Sequence, residues 1–475
     1  MPALPKFPAL PRLPGFLRQP LGTSYLVICG LLLAAVVLGM FTPLFVATMG
    51  DSPSKMFALP AAMVFALLLI YDHKLTLLGI ILFRAALDPV LSLTRISLAG
   101  IPLGVGGLLN ACVILIAIML VFERPRVVPG RAFWAWTPFL LLLCVGVIPS
   151  YERGEAIRQC LALLSFFAMF ISGFYFGRTQ AEFRSVMKVV VWSSAVPALY
   201  TFVDVGLHYH AGFRLASTFG HPNVLAFYLT VIITVAFYLL QTMPASYRGW
   251  QRLFLIGYLF FLLIMLAMTH TRSAWIATAI GFGMYGVLFD RRYLVYIALG
   301  GALALLVPGV GDRLLELTRD NPTGNVAEMN SASWRVALWQ SAFGWMSPHS
   351  FVTGNGLQTF QHFSPTFFPL AGGIHWEAHS IYVQLIFEIG LVGLLAYLWL
   401  NWRVFKGLLP LIKVDKLAAF SLIVVLVNFL ICAFSDNMFD ILVYDWYWWF
   451  AVGAGSSLAL SKTLTLAPRA KPGKL

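Results

Sequence analysis

Leu253-Phe-Leu-Ile-Gly-Tyr-Leu-Phe-Phe-Leu-Leu-Ile-Met-Leu-Ala-Met268 carries no charge, and Thr269-His-Thr271-Arg272-Ser273-Ala-Trp275 follows it at once. A helix built from the run is apolar on every face, which suits lipid better than a half-solvated surface. Comparable runs extend from Tyr25 to Val46 and from Tyr293 to Pro308, and a bilayer core takes about 20 such residues per helix. Of 475 residues, 60% are hydrophobic and only 11% charged, against about 25% charged in a soluble domain. The chain is therefore expected to be all-α, a polytopic integral membrane protein of about 12–14 transmembrane helices with one long helical periplasmic loop.

Fourteen spans are expected at 23–46, 55–71, 75–94, 100–122, 132–149, 156–176, 183–206, 223–241, 251–270, 272–289, 292–309, 379–401, 417–434 and 441–461. The third carries Arg84 and Asp88. The resulting organisation is a cytoplasmic tail (1–22), transmembrane helices with short loops (23–309), a long periplasmic loop with an amphipathic helix (310–378), C-terminal transmembrane helices (379–461) and a cytoplasmic tail (462–475). Near the start, Lys6, Arg12 and Arg18 lie in a Pro-rich segment with no small-residue cleavage site, so the first span is expected to remain as an anchor.

The net charge of +13 does not indicate nucleic acid, because the basic residues sit singly or in small groups between spans. They follow the positive-inside pattern, with Arg124/Arg126/Arg131, Arg291/Arg292 and Arg403/Lys406/Lys413/Lys416 on the cytoplasmic side. Cys29, Cys112, Cys144, Cys160 and Cys432 fall in or beside apolar spans without CxxC spacing, so neither disulfide nor metal site is expected. This orientation places His208, His210, His221, His270, His349, His362, His375 and His379 outside, leaving His73 as the exception. The long outer connection, broken by Pro322, Gly324, Pro348, Gly354, Gly356 and Pro365, is too polar to span, and a loop of that length is usually functional.

Four polar stretches share the outer face: Arg214-Leu-Ala-Ser-Thr-Phe-Gly-His-Pro-Asn223, Thr271-Arg272-Ser273-Ala-Trp275, Ser331-Ala-Ser333-Trp334-Arg335-Val-Ala-Leu-Trp339, and His375-Trp-Glu377-Ala-His379-Ser-Ile-Tyr382. The third reads as a capped amphipathic helix within the loop. Helix N-termini there offer free backbone N–H groups and partial positive charge. A lone Arg272 in such a first turn makes sense beside a phosphate or carboxylate, and Arg forks bind phosphate oxygens in pairs. Arg214, Arg272 and Arg335 together suit a diphosphate, and His379 at another helix start suits a general base.

Plainer roles compete with these. Arg272 fits snorkelling to the interface, Arg335 a solvated surface, and Arg214 a lipid head group. His375 and His379 are one turn apart, but HWEAH is not HExxH, and Glu377 lies off their face, so no metal is expected. Asp436 and Asp440 either pair with the arginines or mark the interface. Tyr444-Asp-Trp446-Tyr-Trp448-Trp449-Phe450 is expected as an interfacial aromatic belt rather than a sugar platform.

At these residues the chain resembles the O-antigen ligase family, part of a superfamily that also holds O-antigen polymerases and bacterial protein O-oligosaccharyltransferases. The resemblance rests on Thr271-Arg272-Ser273 opening a span, Trp334-Arg335 in the long loop, and His379-Ser380-Ile-Tyr382 with Glu388-Ile-Gly390-Leu-Val-Gly393 in the next span. Gly354-Asn-Gly356 fits the family's glycine-rich stretch, and the likeness covers about residues 210–440. It implies a metal-independent inverting glycosyltransferase without cofactor in the inner membrane of a Gram-negative bacterium, active on the periplasmic face. The implied donor is an undecaprenyl-diphosphate-linked polysaccharide, and the implied acceptor is lipid A-core oligosaccharide. Arg272 and Arg335 match the family's diphosphate arginines, Arg214 less closely, and His379 matches its essential histidine. Asp436, Glu377, His375 and Tyr382 are the expected supporting residues. Polymerase and protein-glycosylating activities share this donor. Transport of a lipid-linked or anionic substrate fits less well, because transporters place ionisable groups at mid-membrane.

Overall fold

The computed structural model describes residues 67–89, 97–98, 101–102, 105–210, 212–244, 247, 249–306, 310–311, 331–368 and 372–466. Contacts divide the chain into residues 1–76 and 77–475; the site lies within the second unit. Helices dominate: α1 His73–Phe83, α2 Val105–Glu123, α3 Gly130–Gly146, α4 Arg153–Gly173, α5 Gln180–Trp192, α6 Ala195–His208, α7 Pro222–Gln241, α8 Gly249–Met268, α9 Arg272–Leu288 and α10 Arg292–Ala304. After them come α11 Ser331–Trp345, α12 Pro348–Thr353, α13 Thr359–Phe367, α14 Ile381–Leu408, α15 Lys416–Ser435 and α16 Leu442–Leu466. A two-residue antiparallel pair, Ser97–Leu98 with Ile101–Pro102, precedes α2.

Among the described residues seven helical stretches are long and apolar enough to cross a membrane, and the protein is an all-α polytopic membrane protein. The first expected span and most of the second lie outside the described residues. The third is shorter than expected, ending as a helix at Phe83. The seventh runs as one apolar stretch through α5 and α6, kinked where the hydroxyls of Ser193 and Ser194 bond the carbonyls of Val190 and Val191 and meet the hydroxyls of Tyr228 and Tyr258.

The aromatic run is not an interfacial belt. Tyr444, Trp446, Tyr447, Trp448, Trp449 and Phe450 are all buried in α16, which packs along α4. Gly173 faces Gly453 there, so the two backbones approach closely, and small residues at such crossings let membrane helices pack by contact. The Trp446 indole donates to Ser165 Oγ at 2.8 Å, and the Tyr447 hydroxyl donates to the Ile81 carbonyl at 2.6 Å. These two polar tips find partners inside, which lets such aromatic side chains form core rather than rim, whereas the Trp448 indole nitrogen is buried without a hydrogen-bond partner.

Helix α14 is broken inside its apolar run. Gly390 stands at φ 74°, ψ 178°, which strands backbone groups that lipid would leave unsatisfied. The Gly354-Asn355-Gly356 turn fills the break: the backbone N–H of Asn355 donates to Phe387 O at 2.9 Å, and that of Gly356 to Glu388 O at 2.8 Å. The Asn355 side-chain amide adds a bond to Phe387 O at 3.1 Å. A Cβ on Gly354 would collide with the Glu388 carbonyl, and one on Gly390 with the Val352 carbonyl. Both glycines also have positive φ, so the motif is glycine for shape as well as for conformation.

Helices α11–α13 pack on the start of α14 through Leu338, Ala342, Met346, Phe360, Phe367, Ala378, Val383 and Phe387. On α11, Leu338 and Ala342 face this core, as does Met346 just after it, and the Trp345 ring packs against Phe363 and Phe387, while Val336 stands exposed. The cap ahead of α11 lies outside the described residues.

Candidate active site

The four polar stretches meet at one end of the bundle. Arg214, on the segment before α7, donates from Nε to the Thr269 carbonyl at 3.0 Å. One of its terminal nitrogens donates to Asn223 Oδ1 at 2.9 Å and to Thr271 Oγ1 at 3.3 Å. Thr271 Oγ1 also donates to Asn223 Oδ1 at 3.1 Å. The other end of the Asn223 amide donates to Asp436 Oδ2 at 2.8 Å, and Asp436 Oδ1 lies 3.8 Å from His379 Nδ1. At 3.8 Å this last contact is longer than a hydrogen bond. Asn223 is therefore the hub joining an arginine, the TRS turn, a carboxylate and a histidine.

Electrostatics follow this wiring. Burial works against the Asp436 charge, but His379, the Asn223 amide and the Asn437 N–H outweigh it and hold the carboxyl below its usual range. Burial, with Arg214 and His379, lowers the His221 imidazole, and Asp436 opposes them. His221 Nδ1 accepts from the Asn223 N–H at 3.1 Å, capping α7.

Arg272 is the first residue of α9 and donates to Ser331 Oγ at 3.1 Å, tying α9 to α11. Burial lowers the Arg335 pKa, Asp436 opposes this, and the nearby Arg272 charge adds to it. Two like-charged guanidiniums are thereby held near each other beside one carboxylate. Thr271 and Ser380, which precede α9 and α14, make no side-chain cap hydrogen bond to the first turns of these helices.

His379 is held from several directions. The Trp339 indole donates to the Ala378 carbonyl at 2.7 Å. The ring of Trp334 lies 6.0 Å and that of Trp376 6.5 Å from the imidazole. The residue itself has φ 49°, and Ser217, His270 and Gln358 share the left-handed region. Each costs about 1–3 kcal/mol, a strain that persists where surrounding contacts over-determine it. Ser217, His270 and His379 fall in or beside three of the four stretches.

The supporting residues separate. Glu377 is close enough to His379 and Asp436 to feel both; burial raises its pKa, His379 opposes this and Asp436 adds to it. His375 is exposed, its Nδ1 3.1 Å from the Gln361 carbonyl. Tyr382 donates to the Leu430 carbonyl at 2.8 Å, which ties α14 to α15. Sequence reasoning quoted Asn223 but assigned it no role. The available signal was a carboxamide directly after a helix-opening proline, beside two other polar motifs.

Residues 257–398 match the family model described as O-antigen ligase. The match runs from within α8 to within α14, so it takes in Arg272, Arg335 and His379. Over this segment, which is less than half of the chain, the sequence is similar to the O-antigen ligase family. Arg214, Asn223 and Asp436 lie outside the matched segment and are joined to it by the hydrogen-bond network. No curated protein matches the chain.

Proposed function

We propose that the protein is an inverting, metal-independent glycosyltransferase of the bacterial inner membrane. On this reading it moves O-antigen polysaccharide from undecaprenyl diphosphate to lipid A-core oligosaccharide on the periplasmic face. The observation that carries it is the wiring of Arg214 and Thr271, through Asn223 and Asp436, to His379, with Arg272 and Arg335 alongside.

In the proposed step the acceptor hydroxyl gives its proton to His379 Nε2, the nitrogen turned away from Asp436. Its oxygen forms a bond to the anomeric carbon as the bond from that carbon to the diphosphate oxygen breaks. The bonding pair leaves with the diphosphate, and Arg214, Arg272 and Arg335 with the starts of α9 and α14 meet the charge. A diphosphate leaves readily once neutralised, so the chemistry asks for cations rather than a protonating acid. Attack from the face opposite the leaving group inverts the carbon; a retaining route uses a second carboxylate close by.

The test is transfer by purified protein from undecaprenyl-diphosphate-linked glycan to rough lipopolysaccharide in EDTA. Glycan on lipid A-core is expected. Longer lipid-linked chains instead would make the protein a polymerase, and glycan on a Ser-containing peptide would make it a protein oligosaccharyltransferase.

A further inference from the structure

Beside the arginine site lies a separate cavity of about 480 Å³, within the size range of small-molecule pockets, about 300–1,000 Å³. Glu377 and Ala378, the two residues ahead of His379, form part of its wall, as does Asn437, the residue after Asp436. None of Arg214, Arg272 and Arg335 lines it. The cavity therefore adjoins the base without sharing the diphosphate's cations.

Its chemistry is that of a hydrogen-bond acceptor. Two arginines reach the wall, and each is matched by a carboxylate on its own chain segment: Arg84 with Asp88 at 2.7 Å, and Arg158 with Glu155 at 2.7 Å. That leaves Glu377, Glu388 and Asp440 as carboxyl groups in excess of the wall's two arginines, with Arg158 acting on Asp440 as well. Burial raises the Asp440 pKa, and the charges of Glu377 and Glu388 add to it. Asp440 keeps part of its surface exposed.

A second observation points to a ligand. Asn110, Gln384 and Asn437 line the cavity from three separate elements, and they are only 4%, 6% and 2% exposed. In each, the side-chain carbonyl oxygen is buried without a hydrogen-bond partner. Buried acceptors are rarely left unsatisfied, and each such group calls for an explanation. A diphosphate cannot supply what is missing, because it brings further acceptors and negative charge. Hydroxyl or ammonium donors can.

We infer that this cavity is the subsite for the acceptor's sugar headgroup, a neutral or amino-bearing polyol whose donors satisfy Asn110, Gln384 and Asn437 beside Glu377, Glu388 and Asp440. The inference rests on the glycosyl-transfer reading and deepens it. A sugar seated there has Glu377 and Ala378, next in sequence to the base, as part of its wall, and none of the arginines of the diphosphate site.

The experiment compares wild type with Gln384→Leu and Asn110→Leu, each checked for an unchanged melting midpoint in detergent so that one remains informative if the other misfolds. Steady-state transfer is measured against each substrate in turn. The expected result is an acceptor KM raised about tenfold, as loss of one hydrogen bond implies, with donor KM within about twofold. Binding is read separately, without donor, by saturation-transfer NMR of de-acylated, dephosphorylated core oligosaccharide. Signal that weakens in both variants and survives excess inorganic pyrophosphate supports the subsite. A donor KM that rises instead would assign the cavity to the donor's sugar and overturn the inference, as would unchanged KM values and unchanged binding. Wild-type protein that binds the oligosaccharide yet never transfers glycan would instead sink the glycosyl-transfer reading.

Discussion

Asp436 Oδ1 lies 3.8 Å from His379 Nδ1 while Oδ2 of the same carboxylate accepts from Asn223 at 2.8 Å. The carboxylate is fixed by one partner and orients the other, the arrangement that keeps an imidazole in a productive pose.

Asp436→Asn keeps the shape and removes the charge that stabilises the imidazolium. It should lower kcat by about 10²-fold, within the usual range of a general-base contribution, with acceptor KM little changed. Single-turnover kinetics with purified variant checks this, and an unaltered kcat would show that the pair is structural.

Asn223 couples two halves of the site, so its loss should not add to loss of Asp436. Asn223→Ala is expected to lower kcat and raise donor KM, because Arg214 loses one of its anchors. In the Asn223→Ala/Asp436→Asn double-mutant cycle the coupling energy should be about 1 kcal/mol or more, whereas independent sites add within about 0.5 kcal/mol.

Gly354→Ala and Gly390→Ala each force a Cβ into a backbone carbonyl at a positive φ. Each should cost about 2 kcal/mol or more, read as a lower thermal midpoint in detergent. Gly407→Ala in the same helix meets nothing within 4 Å and serves as control. Equal midpoints for all three would contradict the account of the broken helix.

The membrane class and the helix start at Arg272 were legible because apolar runs and their polar ends are local features, whereas the start expected at His379 falls at Ile381 and leaves His379 outside the helix in the left-handed region. So was the gathering of Arg214, Thr271 and Asn223, since span direction alone brings such ends together. The role of Gly354-Asn-Gly356 was not legible. Its partners, the carbonyls of Phe387 and Glu388, become available only when α14 breaks at Gly390. Trp446 to Phe450 misled for a similar reason. An aromatic run looks the same at an interface as in a core, and the deciding contacts, Ser165 and Ile81, are remote in sequence.

Acidity gives a further test. Burial and like charge raise the Asp440 carboxyl pKa in the folded state. The folded protein then holds that proton more tightly than the unfolded chain, so stability falls as pH rises from about 4, the unfolded carboxylate range, towards the folded pKa. Asp440→Asn removes this loss. Its melting midpoint should exceed that of wild type at neutral pH, and the difference should shrink below about pH 4. A difference that grows on acidification would reverse the assigned sign.

The most direct test of the central claim is the rate of transfer from undecaprenyl-diphosphate-linked glycan in EDTA, measured together for wild type, Arg272→Ala and His379→Ala at equal melting midpoints. Wild type should release undecaprenyl diphosphate in step with new glycosidic bonds of inverted configuration, and each variant should fall by about 10²-fold or more. Full activity in either variant, or retained configuration in the product, would contradict the account.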